Sequence, residues 1–167
     1  MMTSIAAMPV TSRPVCSEDA SFLQAVYLSA RAEEFAGLGW SPMQQEAFLA
    51  MQYRAQQAAY RQQYPAAERR ILLLDGQPVG QYLVDRTPEA IHLVDVALLP
   101  HARNAGIGGD LLRRLRGEAA RMELPLRLAV ARENRARRLY ERQGFVITGE
   151  TGTHFMMEWR SAPHRSL

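Results

Sequence analysis

Arg103, Gly106 and Gly108 form the pattern R-x-x-G-x-G, and their setting gives it chemical meaning. Ahead of them, residues 91–99 read I-H-L-V-D-V-A-L-L, a β-branched and leucine-rich run. It stops at Pro100, which cannot donate to a sheet ladder. Behind them, Ile107, Leu111, Leu112, Leu115, Ala119 and Met122 recur with helical period, while Arg113, Arg114 and Arg116 fall on other sides. The order is strand, glycine-studded loop, helix. A helix start presents unpaired backbone N–H groups and the positive end of the macrodipole, and glycine lets a bulky anion approach that backbone closely. The chemistry expected here is binding of a phosphate or pyrophosphate. Two familiar phosphate loops do not fit. A P-loop requires G-x-x-x-x-G-K-[ST], and the chain contains no lysine. The dinucleotide fingerprint requires G-x-G-x-x-G, but Leu111 stands where its third glycine belongs. By itself R-x-x-G-x-G is weak, since many surface turns would satisfy it, and the surrounding elements have to decide.

Those elements can be taken in order. Residues 5–15 suit a first strand ending near Arg13 and Pro14, and Ser17 suits the N-cap of a helix whose stripe is Phe22, Leu23, Val26, Tyr27 and Ala30. Two glycines within residues 33–40 break that helix. Ser41, Pro42 and Gln44 restart it as N-cap, N1 and N3 of a capping box. This second helix should run to about Tyr64 and stop at Pro65, burying Met43, Ala47, Phe48, Met51, Ala55, Ala58 and Ala59 and leaving its glutamines in water. Residues 71–74 and 79–84 flank Asp75-Gly76 and predict a hairpin, followed by a turn at 86–89 and a third strand over 90–98. After the helix that follows Gly106, Pro125 precedes a strand over 126–130; a helix crossing between strands of one sheet implies a parallel pair. Asn134 begins another helix with Ala136, Leu139 and Tyr140 on its inner face and Gly144 as its C′ residue. Residues 145–149 and 154–159 close the chain as two strands, and only residues 1–4 and 161–167 read as loose.

Composition bounds the function classes. At 167 residues and 47% hydrophobic, the chain reads as a single folded domain over 1–167, with its core at about 5–160. No apolar run approaches the roughly 20 residues of a membrane span, and residues 1–10 lack the features of a secretory signal. Cys16 is the only cysteine, so no internal disulfide forms, and the scattered histidines give no metal-ligand spacing. A cytoplasmic protein without a metal is expected. All twenty basic residues are arginine, eleven of them between Arg103 and Arg142. They suit either solvated helix exteriors or a field that draws anions to the loop. Nucleic acid is not expected as a partner, because no recognition motif is present and Tyr140 is nearly the only aromatic among these arginines.

The order β-α-α-β-β-β-α-β-α-β-β, an α/β (α+β) fold with a mixed sheet of about seven strands, together with R-x-x-G-x-G, resembles the GNAT superfamily of acetyl-CoA-dependent N-acetyltransferases. A second motif adds to it: Asn134, Leu139, Tyr140, Gly144 and Phe145 are similar to the family's helix after its fifth strand. The segment W-S-P-M-Q-Q-E-A-F looks like a bacterial subgroup. The resemblance implies acetyl-CoA as co-substrate and covers nearly the whole chain. It implies that the backbone at Ala97, Leu98 and Leu99 pairs with pantetheine, the Leu98 N–H receiving the developing oxyanion. It places the pyrophosphate on Arg103, Asn104, Ala105, Gly106, Ile107, Gly108 and Gly109, and the pantetheine arm near Asn134. Asn104 stands where the family commonly has glycine, a tolerable change because asparagine enters the left-handed region more readily than most residues. Tyr140 becomes the candidate acid for the departing thiolate, a phenol of pKa about 10 facing a thiol of about 8.5.

The other roles stay open. Asp95 interrupts an apolar strand and is either a base or a structural carboxylate; His92, three residues earlier, points to the other face. For the acceptor, the resemblance implicates Glu33, Glu34, Phe35 and Trp40 from the helical half, with Glu150, Thr151 and His154 from the last hairpin. Acidic and aromatic groups suit a cationic amine, whether small molecule or peptide. Cys16 lies far from both motifs in the chain, so direct transfer in a ternary complex is expected. A homodimer is left open, no membrane is expected, and the competing readings are an idle coenzyme A sensor or an arginine-rich RNA-binding protein.

Overall fold

The computed structural model describes residues 10–162. Its elements are β1 (Val10–Pro14), α1 (Ala20–Arg31), α2 (Pro42–Gln63), β2 (Glu68–Leu74), β3 (Gln77–Arg86), β4 (Ile91–Leu98), α3 (Ile107–Met122), β5 (Leu126–Ala131), α4 (Ala136–Arg142), β6 (Val146–Glu150) and β7 (His154–Trp159). The strands form one mixed sheet in the order β1-β2-β3-β4-β5-β7-β6. This is the element order expected from the sequence. Residues 5–9 of the expected first strand lie outside the described residues, as do the ends 1–4 and 163–167. The described chain divides into two compact units, residues 10–82 with 96–105 and residues 83–95 with 106–162.

In the first unit β1 pairs antiparallel with β2, Val10 opposite Leu74 and Pro14 opposite Arg70. Asp75 (φ 51°) and Gly76 (φ 77°) both adopt the left-handed conformation that a tight two-residue hairpin turn requires. Ser17 does not cap α1. A 3-10 turn, Ser17–Asp19, comes first, and Asp19 holds the corner instead, accepting from the Cys16 N–H at 2.8 Å and from the Arg13 fork at 2.7 and 2.8 Å. The guanidinium keeps the Asp19 carboxyl well below the usual carboxylate range. Asp19 itself is the N-cap residue of α1, so the helix starts two residues later than a Ser17 cap would place it, and no side chain caps its first N–H groups.

The capping box of α2 forms as expected: the Gln44 N–H donates to Ser41 Oγ at 3.2 Å, and the Ser41 N–H to Gln44 Oε1 at 3.0 Å. The expected buried stripe does not. Met43 is 80% and Met51 53% exposed, Ala47, Ala55, Ala58 and Ala59 are exposed, and only Phe48 of that set is half-buried. The helix is rolled so that Leu49 is buried and Gln45, Gln52, Tyr53, Gln56, Gln57 and Tyr60 are half-buried. Its polar side is drawn inward by the strands: Arg69 on β2 donates to Gln57 Oε1 at 3.0 Å and to Oε1 of Gln81 on β3, which is buried. Gln81 is buried, and leaving its amide without this bond would cost about 1–3 kcal/mol, which favours the roll that brings Gln57 and Arg69 together.

In the second unit α3 buries Ile107, Leu111, Leu112, Leu115 and Ala119 against a core with Ile91, Leu93, Leu126, Leu128 and Met157. Met122, expected to share that face, is 62% exposed because the helix ends there, at a left-handed Glu123 (φ 56°). The strand β5 pairs antiparallel with β7 along its whole length, and β7 with β6, with a register shift between Ile147 and Gly149. The helix α4 starts two residues after Asn134, whose Oδ1 accepts from the Ala136 N–H at 2.9 Å. Gly144 (φ 94°) follows its C-cap as expected, and the Phe145 N–H returns to the Tyr140 carbonyl at 3.0 Å.

Candidate active site

The candidate anion loop is built by backbone conformation. Asn104 (φ 62°) and Gly106 (φ 79°) are both left-handed, and Gly106 is the N-cap of α3 with no side-chain capping bond. Residues 104–106 are exposed, while Ile107 directly behind them is buried and anchors the helix start. The first N–H groups of a 16-residue helix are therefore presented toward solvent behind a turn without bulk: a Cβ built on Gly106 would meet nothing within 4 Å. A diphosphate fits this turn, both in the donors offered and in the room left for it. Arg103 is half-buried, and its Nε donates to the Leu98 carbonyl at 3.3 Å, so its side chain also ties the loop to the end of β4.

That end of β4 depends on a glycine that sequence reasoning did not single out. Gly80 on β3 lies so close to β4 that a Cβ there would overlap the Ala97 carbonyl oxygen and crowd Leu98. The Leu99 N–H donates to the Val79 carbonyl at 2.8 Å. Ala97, Leu98 and Leu99 are thus fixed by β3, and the requirement for glycine arises from a contact between distant parts of the chain.

On the other side of β4 the ladder is incomplete. Registered pairs with the parallel strand β5 run from Ile91 with Leu126 to Leu93 with Leu128, although β4 continues through Val94 and Asp95 and β5 through Ala129 to Ala131. The registered pairing stops short of residues 97–99 at the end of β4.

Tyr140 and Asp95 are brought together electrostatically. Tyr140 is buried on α4, its ring centroid 5.8 Å from that of Phe145. Burial pushes its hydroxyl up to about 12, and the Asp95 charge adds to the shift. The group is therefore a protonated donor at any ordinary pH. His92 is pushed below its ordinary value by burial and by Arg127, with Asp85 opposing, and so favours the neutral form. Asn134 is exposed.

The arginine field is partly consumed internally. Arg113 and Arg114 lie 3.3 and 3.1 Å from Asp110, Arg132 pairs with Glu150 at 2.9 Å, and Arg137 pairs with Glu141 at 2.9 Å. Arg116 donates to the Gln143 carbonyl at 3.1 Å and lies over the Trp159 ring. Arg135 and Arg138, beside Asn134, are exposed and carry no ion pair among the described residues.

The acceptor candidates divide in the same way. Phe35, Trp40 and Phe48 form a ring cluster with centroids 5.1–5.6 Å apart, and Glu33 and Glu34 beside it are exposed with no ion pair among the described residues. Glu150 has its charge engaged by Arg132, and the exposed His154 has Nδ1 2.8 Å from Thr153 Oγ1. A cleft of about 520 Å³ lined by Arg121, Glu123, Leu124, Pro125 and Arg160 sits at the C-terminal end of α3. It is not the anion site, since carbonyls rather than N–H groups terminate the helix there.

Residues 66–147 match the family model described as an Acetyltransferase (GNAT) domain. The chain carries a GNAT acetyltransferase domain. The matched span contains β2 through α4, hence the candidate anion loop, Asp95, Asn134 and Tyr140, and the activity class that goes with it is acyl transfer. Solved structures extend the likeness of fold over the rest. The PaiA N-acetyltransferase of Thermoplasma acidophilum, in complex with coenzyme A, is 22% identical, covers 92% of this chain and 100% of its own, and has a TM-score of 0.68. An acetyltransferase from Thermus thermophilus is 20% identical with a TM-score of 0.65, covering 93% and 99%. A GNAT family acetyltransferase from Elizabethkingia anophelis with acetyl-CoA bound is 16% identical with a TM-score of 0.59, covering 91% and 98%. No curated protein matches the chain. Among the described residues, no helix is long and apolar enough to cross a membrane, and no group of three or more His, Cys, Asp or Glu is placed to hold a metal ion.

Proposed function

We propose that this GNAT domain transfers the acetyl group of acetyl-CoA directly to a primary amine, the chain acting as one acetyltransferase domain. The observation that carries the reading is the turn at the start of α3, with left-handed Asn104 and Gly106, an uncapped helix N-terminus and no bulk in front of it. Acetyl-CoA, when bound, supplies an acyl carbon already activated as a thioester. Backbone N–H groups of residues 106–109 hold the diphosphate, with Arg135 and Arg138 adding unpaired positive charge beside Asn134. The backbone of residues 97–99, fixed by Gly80 and Val79, orients the acyl group, and the Leu98 N–H faces the oxygen on which charge develops. As the C–N bond forms and the C–S bond breaks, Tyr140 gives its proton to the sulfur, while the proton lost by the amine passes to water or to Asp95. Glu33 and Glu34, beside the Phe35–Trp40–Phe48 cluster, attract a cationic acceptor with an apolar body, from a small molecule or a peptide.

Isothermal titration with acetyl-CoA, followed by a panel of amines with a free-thiol readout, tests this. Saturable binding, with thiol released only when an amine is present, is the expected result. Binding without turnover on any amine would favour a sensor, and no binding at all would remove the reading.

A further inference from the structure

We propose that Arg135, Arg138 and Arg142 form a subsite for a phosphate monoester, the 3′-phosphate of coenzyme A, and so make the protein select the whole cofactor over its dephospho form. The inference rests on the acetyl-CoA reading above and adds to it a third phosphate, apart from the diphosphate. Its first support is place. The helix α4 packs on the opening turn of α3: a Cβ built on Gly108 would sit 3.5 Å from Leu139 Cδ2, and one on Gly109 3.7 Å from Gln143 Nε2. Arg116 of α3 ties the same contact by donating to the Gln143 carbonyl at 3.1 Å. Arg135 lies four residues before Leu139 and Arg142 three after it, so each stands one helical turn from the residue that meets Gly108. Arg138 joins the two at spacings of three and four. The three form one flank about 10 Å long, beside the first turn of α3.

The second support is charge. All three arginines are exposed, and none has an ion pair among the described residues. Arg137, on the other side of the same helix, pairs with Glu141 at 2.9 Å and lies over the Phe155 ring. Arg113 and Arg114 of α3 share Asp110. The unpaired charge of α4 is thus confined to the flank beside the anion turn. Like charges three and four residues apart destabilise a helix, and a helix of seven residues has few bonds to set against that repulsion. An anion seated on the flank removes the conflict. A phosphate monoester carries about two negative charges near neutral pH, and its three acceptor oxygens can receive from more than one guanidinium at once. In coenzyme A such a group stands on the ribose, one sugar ring from the diphosphate, and the flank adjoins the turn that would hold that diphosphate.

Calorimetric titration of the full chain with coenzyme A and with dephospho-coenzyme A, at one salt concentration, tests this. Coenzyme A should bind on the order of tenfold tighter, as two or three exposed charge pairs together would provide. Arg138→Gln combined with Arg142→Gln should bring the two affinities together, acting on coenzyme A and far less on the dephospho form. Lysine at both positions should keep part of the difference. Both positions are exposed, so the variants should fold, which circular dichroism checks; without ligand they should melt no lower than the wild type, because like charges have been removed. Equal wild-type affinity for the two ligands overturns the inference and leaves the acetyl-CoA reading standing, whereas binding of neither overturns both. A preference that survives the double substitution places the third phosphate elsewhere and also overturns it. So does a labelled single-stranded RNA whose binding the double substitution abolishes while the two cofactor affinities stay equal, since the flank would then serve nucleic acid.

Discussion

Tyr140 is a weaker acid than a free phenol in this fold, and that constrains what it can do. Against a thiol near 8.5, a hydroxyl near 12 would give up its proton against a gradient of roughly 5 kcal/mol. The burial that raises the phenol also raises a thiol placed beside it, so the gap narrows once the sulfur occupies the same surroundings. The hydroxyl then serves as a fixed donor to the sulfur as the C–S bond breaks. Replacing Tyr140 with Phe keeps the ring against Phe145 and removes only the donor. The expected outcome is a fall in kcat of about 10²–10⁴-fold, with KM for acetyl-CoA and melting temperature nearly unchanged. Full activity in steady-state assays would return Tyr140 to a packing role. Gly108 poses a different test. It has room for a methyl group, since its Cβ would sit 3.5 Å from Leu139 Cδ2, an ordinary contact. Gly108→Ala should therefore stabilise α3 by up to about 1 kcal/mol while weakening acetyl-CoA binding. Calorimetry and titration on the same sample check for these opposite signs.

At the scale of elements, what could be read in the sequence was what local chemistry decides. Asp75-Gly76 specifies its turn, and Ser41, Pro42 and Gln44 specify a helix start, because every partner lies within three residues. The conformation of the turn before α3 was legible for the same reason, with Asn104 taking the left-handed conformation that its residue type permits. The buried side of α2 was not. Its orientation is set by Arg69 and Gln81, which belong to strands, and the helix's own apolar contrast is too weak to overrule them. Ser17 does not cap for a different reason: a short 3-10 turn, closed locally by the Arg13–Asp19 fork, precedes α1 and moves the N-cap to Asp19. Gly80 reads in sequence as an ordinary strand glycine; only the approach of Ala97 shows why it is needed. Because the obstructing atom is backbone, it cannot move aside as a side chain would. Gly80→Ala should cost about 1–3 kcal/mol of stability, read by urea denaturation, and should also raise KM for acetyl-CoA by displacing Leu98. A neutral substitution would mean that the end of β4 is looser than this contact requires.

For the molecule as a whole, His92 links pH to stability. Burial depresses its pKa in the folded chain below the unfolded value of about 6.5, so the unfolded chain takes up the proton first as pH falls. The contribution is fully present above about 6.5 and is lost as pH drops toward the folded value. Melting temperature should therefore fall through that acidic window, and His92→Gln should flatten the slope there whatever it does to the absolute value. An unchanged slope would assign the acid sensitivity to carboxylates instead. The lapse in the β4–β5 ladder has another consequence. Beyond Leu93 and Leu128 the sheet has, in effect, two edge strands in its interior, backbone that elsewhere would invite a stray strand from another chain. A ligand arm lying there would take the place of the missing rungs. The co-substrate would then act as a guard against aggregation as well as a reactant, and amide hydrogen exchange along residues 129–131 would slow when it binds.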